Sequence, residues 1–147
     1  MLKSNNAQRE EIRESVANIE ARAKFHGIEV TTEYKSWNRD WADVKWVTIK
    51  VTHPSIKNQD NGNAVLIDYD ARTIKERDIK DNEISRVHDN RDFAIQNQWE
   101  DDLSIEPDNI KHFINVLTVA QSLWEALKLF PSSLIVQAFE EQPTKHE

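Results

Sequence analysis

The stretch that decides the fold is PDNIKHFINVLTVAQSLWEALKL, residues 107–129. Its apolar side chains recur at intervals of three and four, which is the spacing of a helix with one buried stripe. The stripe consists of Ile110, Phe113, Ile114, Leu117, Ala120, Trp124 and Leu127, and it is widened by Val116, Val119 and Leu123. Pro107 suits the first helical position, and Pro131 ends the helix because proline cannot continue the hydrogen-bond ladder. We therefore expect a long helix that is packed on two sides.

A second, amphipathic helix is predicted upstream, over residues 6–26. Its narrow apolar stripe consists of Ile12, Val16, Ile19 and Ala23. Ser4, Asn5 or Asn6 can cap its first turn, since short polar side chains accept hydrogen bonds from free backbone N–H groups. Gly27 marks its end, because glycine readily takes the left-handed conformation that closes a helix.

Alternation of apolar and polar residues predicts antiparallel strands between the two helices. The predicted strands span 28–35, 44–52, 64–70 and, more weakly, 74–79. Turns are expected at 36–43 and 70–73. The charged side chains of the last strand are typical of an exposed sheet edge.

Residues 81–106 contain apolar side chains that are too sparse for a clear period. A short helix near 82–90, followed by irregular chain, is expected there. After the long helix, Ser132 is expected to cap a last short helix, because serine is favoured at the N-cap.

The predicted class is α+β: an N-terminal helix, a three- to four-stranded antiparallel sheet, a polar acidic connector, a long buried C-terminal helix and a short final helix. One domain is expected over 1–147, with a frayed tail at 142–147. This order of elements, the size and the acidic charge are similar to those of the small type III secretion chaperones. The resemblance is one of layout and rests on no shared motif.

Composition excludes several kinds of site. The sequence contains two glycines and no cysteine. Glycine-rich phosphate loops, disulfides, thiolate catalysis and cysteine-based zinc sites are therefore excluded, and no cofactor is predicted. No signal peptide is expected at the N-terminus, and the charged residues of the long helix argue against a membrane span. We expect a cytoplasmic protein.

Negative charge is concentrated in one segment, Asp81–Asp108. This segment contains nine acidic residues against Arg86 and Arg91, a balance of −7 that equals the net charge of the whole chain. Clustered carboxylates attract a basic partner and raise its association rate, and they disfavour direct binding to nucleic acid. The alternative is a solvated loop and a helix start, where acidic residues are also common.

The predicted contact surface joins these charges to tryptophan, a residue that is enriched at binding hot spots. It comprises Trp99, Glu100, Asp101 and Asp102, together with Trp37 and Trp41 of the loop 36–43. Packing of Trp37 and Trp41 into the core is the alternative, and Trp46 is expected to pack against a helix. The resulting hypothesis is a non-enzymatic protein-binding module: an inhibitor, immunity protein or chaperone-type accessory protein, of bacterial or phage type. A homodimer that shares the wide apolar helix is compatible with this function.

A hydrolase or nuclease dependent on a divalent metal is the second hypothesis. Such sites need carboxylates that converge on a cation beside a lysine. The candidate residues are Asp68, Asp70, Asp78 and Lys80, at the ends of two predicted strands. The competing interpretation is that these are ordinary turn and edge-strand charges.

Overall fold

A computed structural model describes residues 4–56, 64–77, 80–96 and 107–140. Its elements in chain order are α1 (Asn5–Lys24), β1 (Glu29–Arg39), β2 (Ala42–Thr52), β3 (Ala64–Arg77), β4 (Glu83–Gln96), a 3-10 turn (Pro107–Asn109), α2 (Ile110–Leu127) and α3 (Ser132–Glu140). The predicted α+β class is confirmed. The tail predicted at 142–147 lies outside the described residues.

The four strands form one antiparallel meander in the order β1-β2-β3-β4. Register aligns the apolar positions, since Val47 on β2 lies between Tyr34 on β1 and Tyr69 on β3. Side chains alternate between the two faces of a sheet, so this register places the apolar set on one face. That covered face joins the helices in a single core, to which the strands contribute Val30, Val47, Ile49, Val51, Val65, Ile67 and Tyr69.

The helices share the covering of this face. α2 packs against α1, β2 and β3, and α3 packs against α1 and all four strands. The shorter α3 is the more completely buried of the two C-terminal helices, with six buried residues among nine. α2 buries Val116, Ala120, Leu123 and Leu127 but leaves Ile110 and Ile114 about half exposed, at 49% and 55%. Within the described part of the chain, no helix has the length and apolar character needed to cross a membrane.

Both predicted ends of the first helix are confirmed. The Ser4 hydroxyl accepts a hydrogen bond from the Ala7 N–H at 3.1 Å, as an N-cap does. Gly27 has a φ of 73°, and the Ile28 N–H donates back to the Ala23 carbonyl at 3.1 Å. Ile28 is buried against the helix end, so the closing motif also directs the chain into β1.

The turn predicted at 36–43 is present but shorter than predicted, and the turn predicted at 70–73 is wrong. β1 continues to Arg39, and only two residues connect it to β2, because Arg39 pairs with Ala42. β3 runs without a break to Arg77, so residues 74–77 extend β3 and do not form a separate fourth strand. Pairing with neighbouring strands along this length satisfies the backbone N–H and C=O groups, which outweighs the polar, turn-like character of the sequence.

The helix predicted near 82–90 is also wrong, since these residues belong to β4. β3 and β4 pair along all 14 residues of each strand. Asp81 precedes β4 with a φ of 65°, a left-handed conformation that aspartate tolerates better than most residues. β4 was missed because the outer part of the β3–β4 hairpin buries few side chains, so its sequence shows little hydrophobic alternation.

Two hydrogen bonds of Arg91 attach the sheet to the segment between the two C-terminal helices. Arg91 of β4 donates to the Phe130 carbonyl at 2.6 Å and to the Lys128 carbonyl at 3.3 Å, just beyond the end of α2. Arginine commonly satisfies the free carbonyl groups at a helix end. Ser132, predicted as a cap, is instead buried at the start of α3, and its hydroxyl has no hydrogen-bond partner among the described residues.

Candidate functional site

The face of the sheet opposite the helices, called the open face here, presents a different set of side chains. Strand alternation directs Trp46 and Thr48 of β2 away from the core, and register brings acidic residues of the next strands beside them. Thr48 lies opposite Asp68, and Asp68 lies opposite Asp92. Among the described residues, no open-face side chain joins the core cluster.

A concavity of about 660 Å³ occupies this face, and we call it the open-face cleft. Its apolar lining is Trp37, Trp41, Ala42, Val44, Trp46 and Ile74, and its polar lining is Asp68, Asp70, Arg72 and Asp92. The volume falls within the usual range for ligand sites, and a mainly apolar wall with few polar groups is typical of them. Three carboxylates against one guanidinium make the lining acidic.

Two tryptophans form the aromatic end of the cleft. The rings of Trp37 and Trp41 are 5.4 Å apart between centroids, with an angle of 73° between their planes. This edge-to-face contact is the arrangement that aromatic pairs prefer. Arg39 places its guanidinium carbon 4.8 Å from the centroid of the Trp37 ring, within the range of a cation–π interaction. Trp41, with 57% of its surface exposed, remains accessible to a partner.

The three carboxylates differ in their neutralisation. Asp70 forms an ion pair with Arg72 at 3.2 Å and accepts a hydrogen bond from the Asn90 amide at 3.1 Å. Asp68 accepts a hydrogen bond of 2.6 Å from the neutral hydroxyl of Thr48. Asp92 makes no side-chain hydrogen bond or ion pair with any residue that the structure describes. Asp68 and Asp92 therefore form a like-charged pair that no described cation neutralises.

The structure brings together part of the predicted contact surface. Trp37 and Trp41 line one cleft, although they were predicted in a loop and Trp37 in fact belongs to β1. Trp99, Glu100, Asp101 and Asp102 lie outside the described residues, so their part in the predicted surface is untested. The carboxylates that accompany Trp37 and Trp41 come from β3 and β4.

Sequence reasoning missed Trp46 and Asp92 as members of the site. Trp46 was predicted to pack against a helix, and this is wrong, because it lines the open-face cleft. Trp46 precedes Val47, which is buried on the covered face, so strand alternation alone indicated that Trp46 lies on the opposite face. Asp92 could not be recognised without β4 and its register, which aligns it with Asp68.

The alternative metal site is not assembled in the described residues. Asp68 and Asp70 share the open face, whereas Lys80 follows β3 in the turn before β4. Arg77 ends β3 seven residues beyond Asp70, roughly 23 Å away at the rise of an extended strand. Asp78 lies outside the described residues. Among those that are described, no three His, Asp or Glu side chains are placed to hold a metal ion.

A histidine pair lies apart from the cleft, where the end of β2 meets the start of α2. The rings of His53 and His112 stack at 4.0 Å between centroids, with 14° between their planes. The Nδ1 atom of His53 accepts a hydrogen bond from the Ser55 N–H at 3.0 Å. Burial, and then the neighbouring His112, lower the pKa of His53 below 6.5, while Glu29 opposes the shift. His53 is therefore biased toward its neutral form.

Comparison with known proteins identifies no relative: no protein-family model, no curated protein and no solved structure matches this chain.

Proposed function

We propose that this protein is a non-enzymatic protein-binding module that docks a basic partner on the open face of its sheet. Inhibitors, immunity proteins and chaperone-type accessory proteins of bacteria or phages are the functional classes that fit. The absence of cysteine is compatible with the cytoplasm, where we place the protein.

The observation that carries this proposal is the composition of the open-face cleft. It combines an exposed tryptophan, Trp41, with two carboxylates that no described cation neutralises, those of Asp68 and Asp92. Tryptophan is enriched among the residues that contribute most to binding energy, and unneutralised carboxylates select a positively charged partner. A net charge of −7 would also attract such a partner before contact, and it disfavours nucleic acid.

The architecture supports docking at this face. The described helices all pack on the covered face, so no described helix covers the open face or its cleft. Apart from Trp41, which lies in the turn between β1 and β2, the cleft residues lie on strands β1 to β4, so little order is lost when a partner binds. Preorganised surfaces of this kind convert more of their contact energy into affinity than mobile loops do.

A pull-down from a lysate of the source organism tests the proposal. The bait is the whole chain, and the open-face variant is Trp37→Ala with Trp41→Ala. A matched control removes two exposed apolar side chains outside the open face, Phe25→Ala with Leu129→Ala, which are 89% and 87% exposed. Circular dichroism verifies that both variants are folded.

We expect a basic partner that the wild type and the control retain and that the open-face variant loses. Its recovery should also fall as salt is raised, because charge attraction is screened. Equal recovery by the open-face variant and the control would contradict the proposal. A further variant that neutralises residues 100–102 determines whether the acidic residues predicted there belong to the same contact surface.

A further inference from the structure

We infer that the open-face cleft binds the side chain of an arginine of the partner, with its guanidinium group between the Asp68–Asp92 pair and the tryptophan rings. This inference rests on the proposed function and specifies the chemistry that the partner presents.

The acidic pair is the first reason. Asp68 and Asp92 lie directly opposite each other on neighbouring antiparallel strands. Like charges at such positions destabilise a sheet. Asp70 is the next residue of β3 on the same face, and its charge is neutralised by Arg72 at 3.2 Å. Two carboxylates that face one cavity without such a partner provide two acceptors for one incoming cation.

The aromatic lining is the second reason, and it favours guanidinium over ammonium. Trp37 already holds one guanidinium group over its ring, that of Arg39 at 4.8 Å. Trp46 lies in the same cleft as the acidic pair and makes no cation–π contact with the described residues. Guanidinium is planar and weakly hydrated, so it stacks on an aromatic ring while it donates to carboxylates. Ammonium is compact and strongly hydrated, which suits this combination less well.

The location of the cleft is the third reason, and it indicates a side chain of a macromolecule. The cleft is a depression in an open sheet face, bordered by the exposed Trp41. A partner that lies across this face can insert one long side chain while its backbone remains outside. Acidic lining excludes phosphate and other anions from the same position.

Titration calorimetry with three short peptides tests the inference. The peptides are identical except for one central residue, which is arginine, lysine or citrulline, the neutral analogue of arginine. The protein variants are Asp92→Asn and, as a matched control on the same strand, Glu83→Gln, which removes one carboxylate outside the cleft. Methylguanidinium serves as a small-cation probe.

We expect the arginine peptide to bind more tightly than the lysine peptide, and citrulline to abolish binding. Asp92→Asn should weaken the arginine peptide by about tenfold, since a hydrogen bond to a charged group is generally worth at least that factor. Glu83→Gln should leave the affinity unchanged.

Three results would overturn the inference: equal binding of arginine and citrulline, binding of lysine as tight as that of arginine, or equal effects of Asp92→Asn and Glu83→Gln. Methylguanidinium binding as tightly as the arginine peptide would show a small-molecule site and would refute the role of a partner side chain. If pull-down depends on Trp37 and Trp41 but not on Asp92, the inference fails while the proposed function stands. If it depends on none of the three, the proposed function fails as well.

Discussion

The two faces of the sheet are built by the same strands, yet they hold opposite kinds of side chain. On β3, Ile67 and Tyr69 of the covered face are fully buried, whereas the alternating residues Asp68 and Asp70 remain partly exposed on the open face. Burial of the first pair removes apolar surface from water, which stabilises the fold. The second pair brings negative charge to a cavity. One strand therefore stabilises the core on one side and contributes carboxylates to the open-face cleft on the other.

The two faces also differ in how closely they follow the rules that stabilise a sheet. The covered face follows the rules of a packed core, with apolar residues in register on neighbouring strands. The open face places Asp68 opposite Asp92 and exposes Trp41, and neither feature stabilises the chain by itself. Local departures from the rules of stability are expected at functional sites.

The largest expected effect compares two neighbours on β3. Ile67→Ala empties a fully buried position of the covered face and should lower the free energy of unfolding by about 2–5 kcal/mol. Leu66→Ala, on the open face, should have a markedly smaller effect, because Leu66 is only partly buried. Urea denaturation measures both. Equal losses would show that the open face contributes as much to the core as the covered face does.

The second prediction concerns Tyr69, whose hydroxyl is buried on the covered face without a hydrogen-bond partner among the described residues. Burial raises its pKa to about 12, although Arg91 opposes the shift. Between pH 10 and about 12, the unfolded chain loses this proton and the folded chain keeps it, so stability falls as the pH rises through this window. The loss is on the order of 3 kcal/mol, since each of the two pKa units corresponds to ~1.4 kcal/mol.

Tyr69→Phe should remove this alkaline loss and should leave stability at neutral pH unchanged or slightly higher. No hydrogen bond to a described residue is broken, and a polar atom leaves the core. Thermal melts of both proteins across the alkaline range measure the difference. A destabilisation of more than about 1 kcal/mol at neutral pH would indicate that the hydroxyl has a partner.

The third prediction concerns the open face, where one substitution is expected to increase the free energy of unfolding, whereas most substitutions decrease it. Asp92→Asn removes one member of the like-charged pair and should stabilise the protein by about 0.2–1 kcal/mol. Glu83→Gln, outside the cleft, provides the control. Chemical denaturation at low salt is the measurement, since salt screens the repulsion. A destabilising effect would mean that Asp92 supports the fold and that the two faces differ less than described.

The smallest expected effect lies at the margin of the covered face, in the His53–His112 stack. The pKa of the folded His53 lies below 6.5, so the unfolded chain binds this proton first as the pH falls. The neutral form of His53 therefore contributes its full stabilisation above pH 6.5, and this contribution is lost as the pH falls through the pKa of His53 in the folded state. The effect should be small, because the pair is partly exposed to solvent.

Melting temperatures at a series of pH values between neutral and mildly acidic measure this effect. His112→Gln should reduce the acid-dependent decline, because it removes the neighbouring charge that protonation would place beside His53. His88→Gln, an exposed histidine of β4, is the matched control. Identical pH profiles for the two variants would refute a role for the stack.

Sequence patterns predicted helices and strands correctly wherever apolar side chains recur at the positions that face the core. The stripe of α2, the stripe of α1 and the alternation around Val47 each predicted a real element, because each contributes several buried residues to the core. The Gly27 stop was predictable for a similar reason, since few other residues accept its backbone conformation. Where hydrophobic burial is sparse, as in β4 and in the outer part of β3, the patterns failed.

The candidate site was predictable only in part. Trp37 and Trp41 were chosen as a pair of interest on the basis of their type and proximity, and the structure places both in the open-face cleft. The carboxylates predicted beside them, at residues 100–102, lie outside the described residues, and the described neighbours are Asp68 and Asp92. These residues are 24 positions apart in the sequence, and only strand pairing makes them neighbours. Patterns among neighbouring residues of the sequence cannot show which distant residues become paired in the sheet.

The sequence by itself determined the class of the fold, the two amphipathic helices and the residues of the covered face. These features depend on hydrophobic periodicity, which is visible among neighbouring residues of the chain. What the tertiary structure decided was the extent of β3 and β4, the central position of α3 and the composition of the open-face cleft. These depend on register, and register is settled when backbone hydrogen bonds and the packed core are satisfied together across the whole sheet.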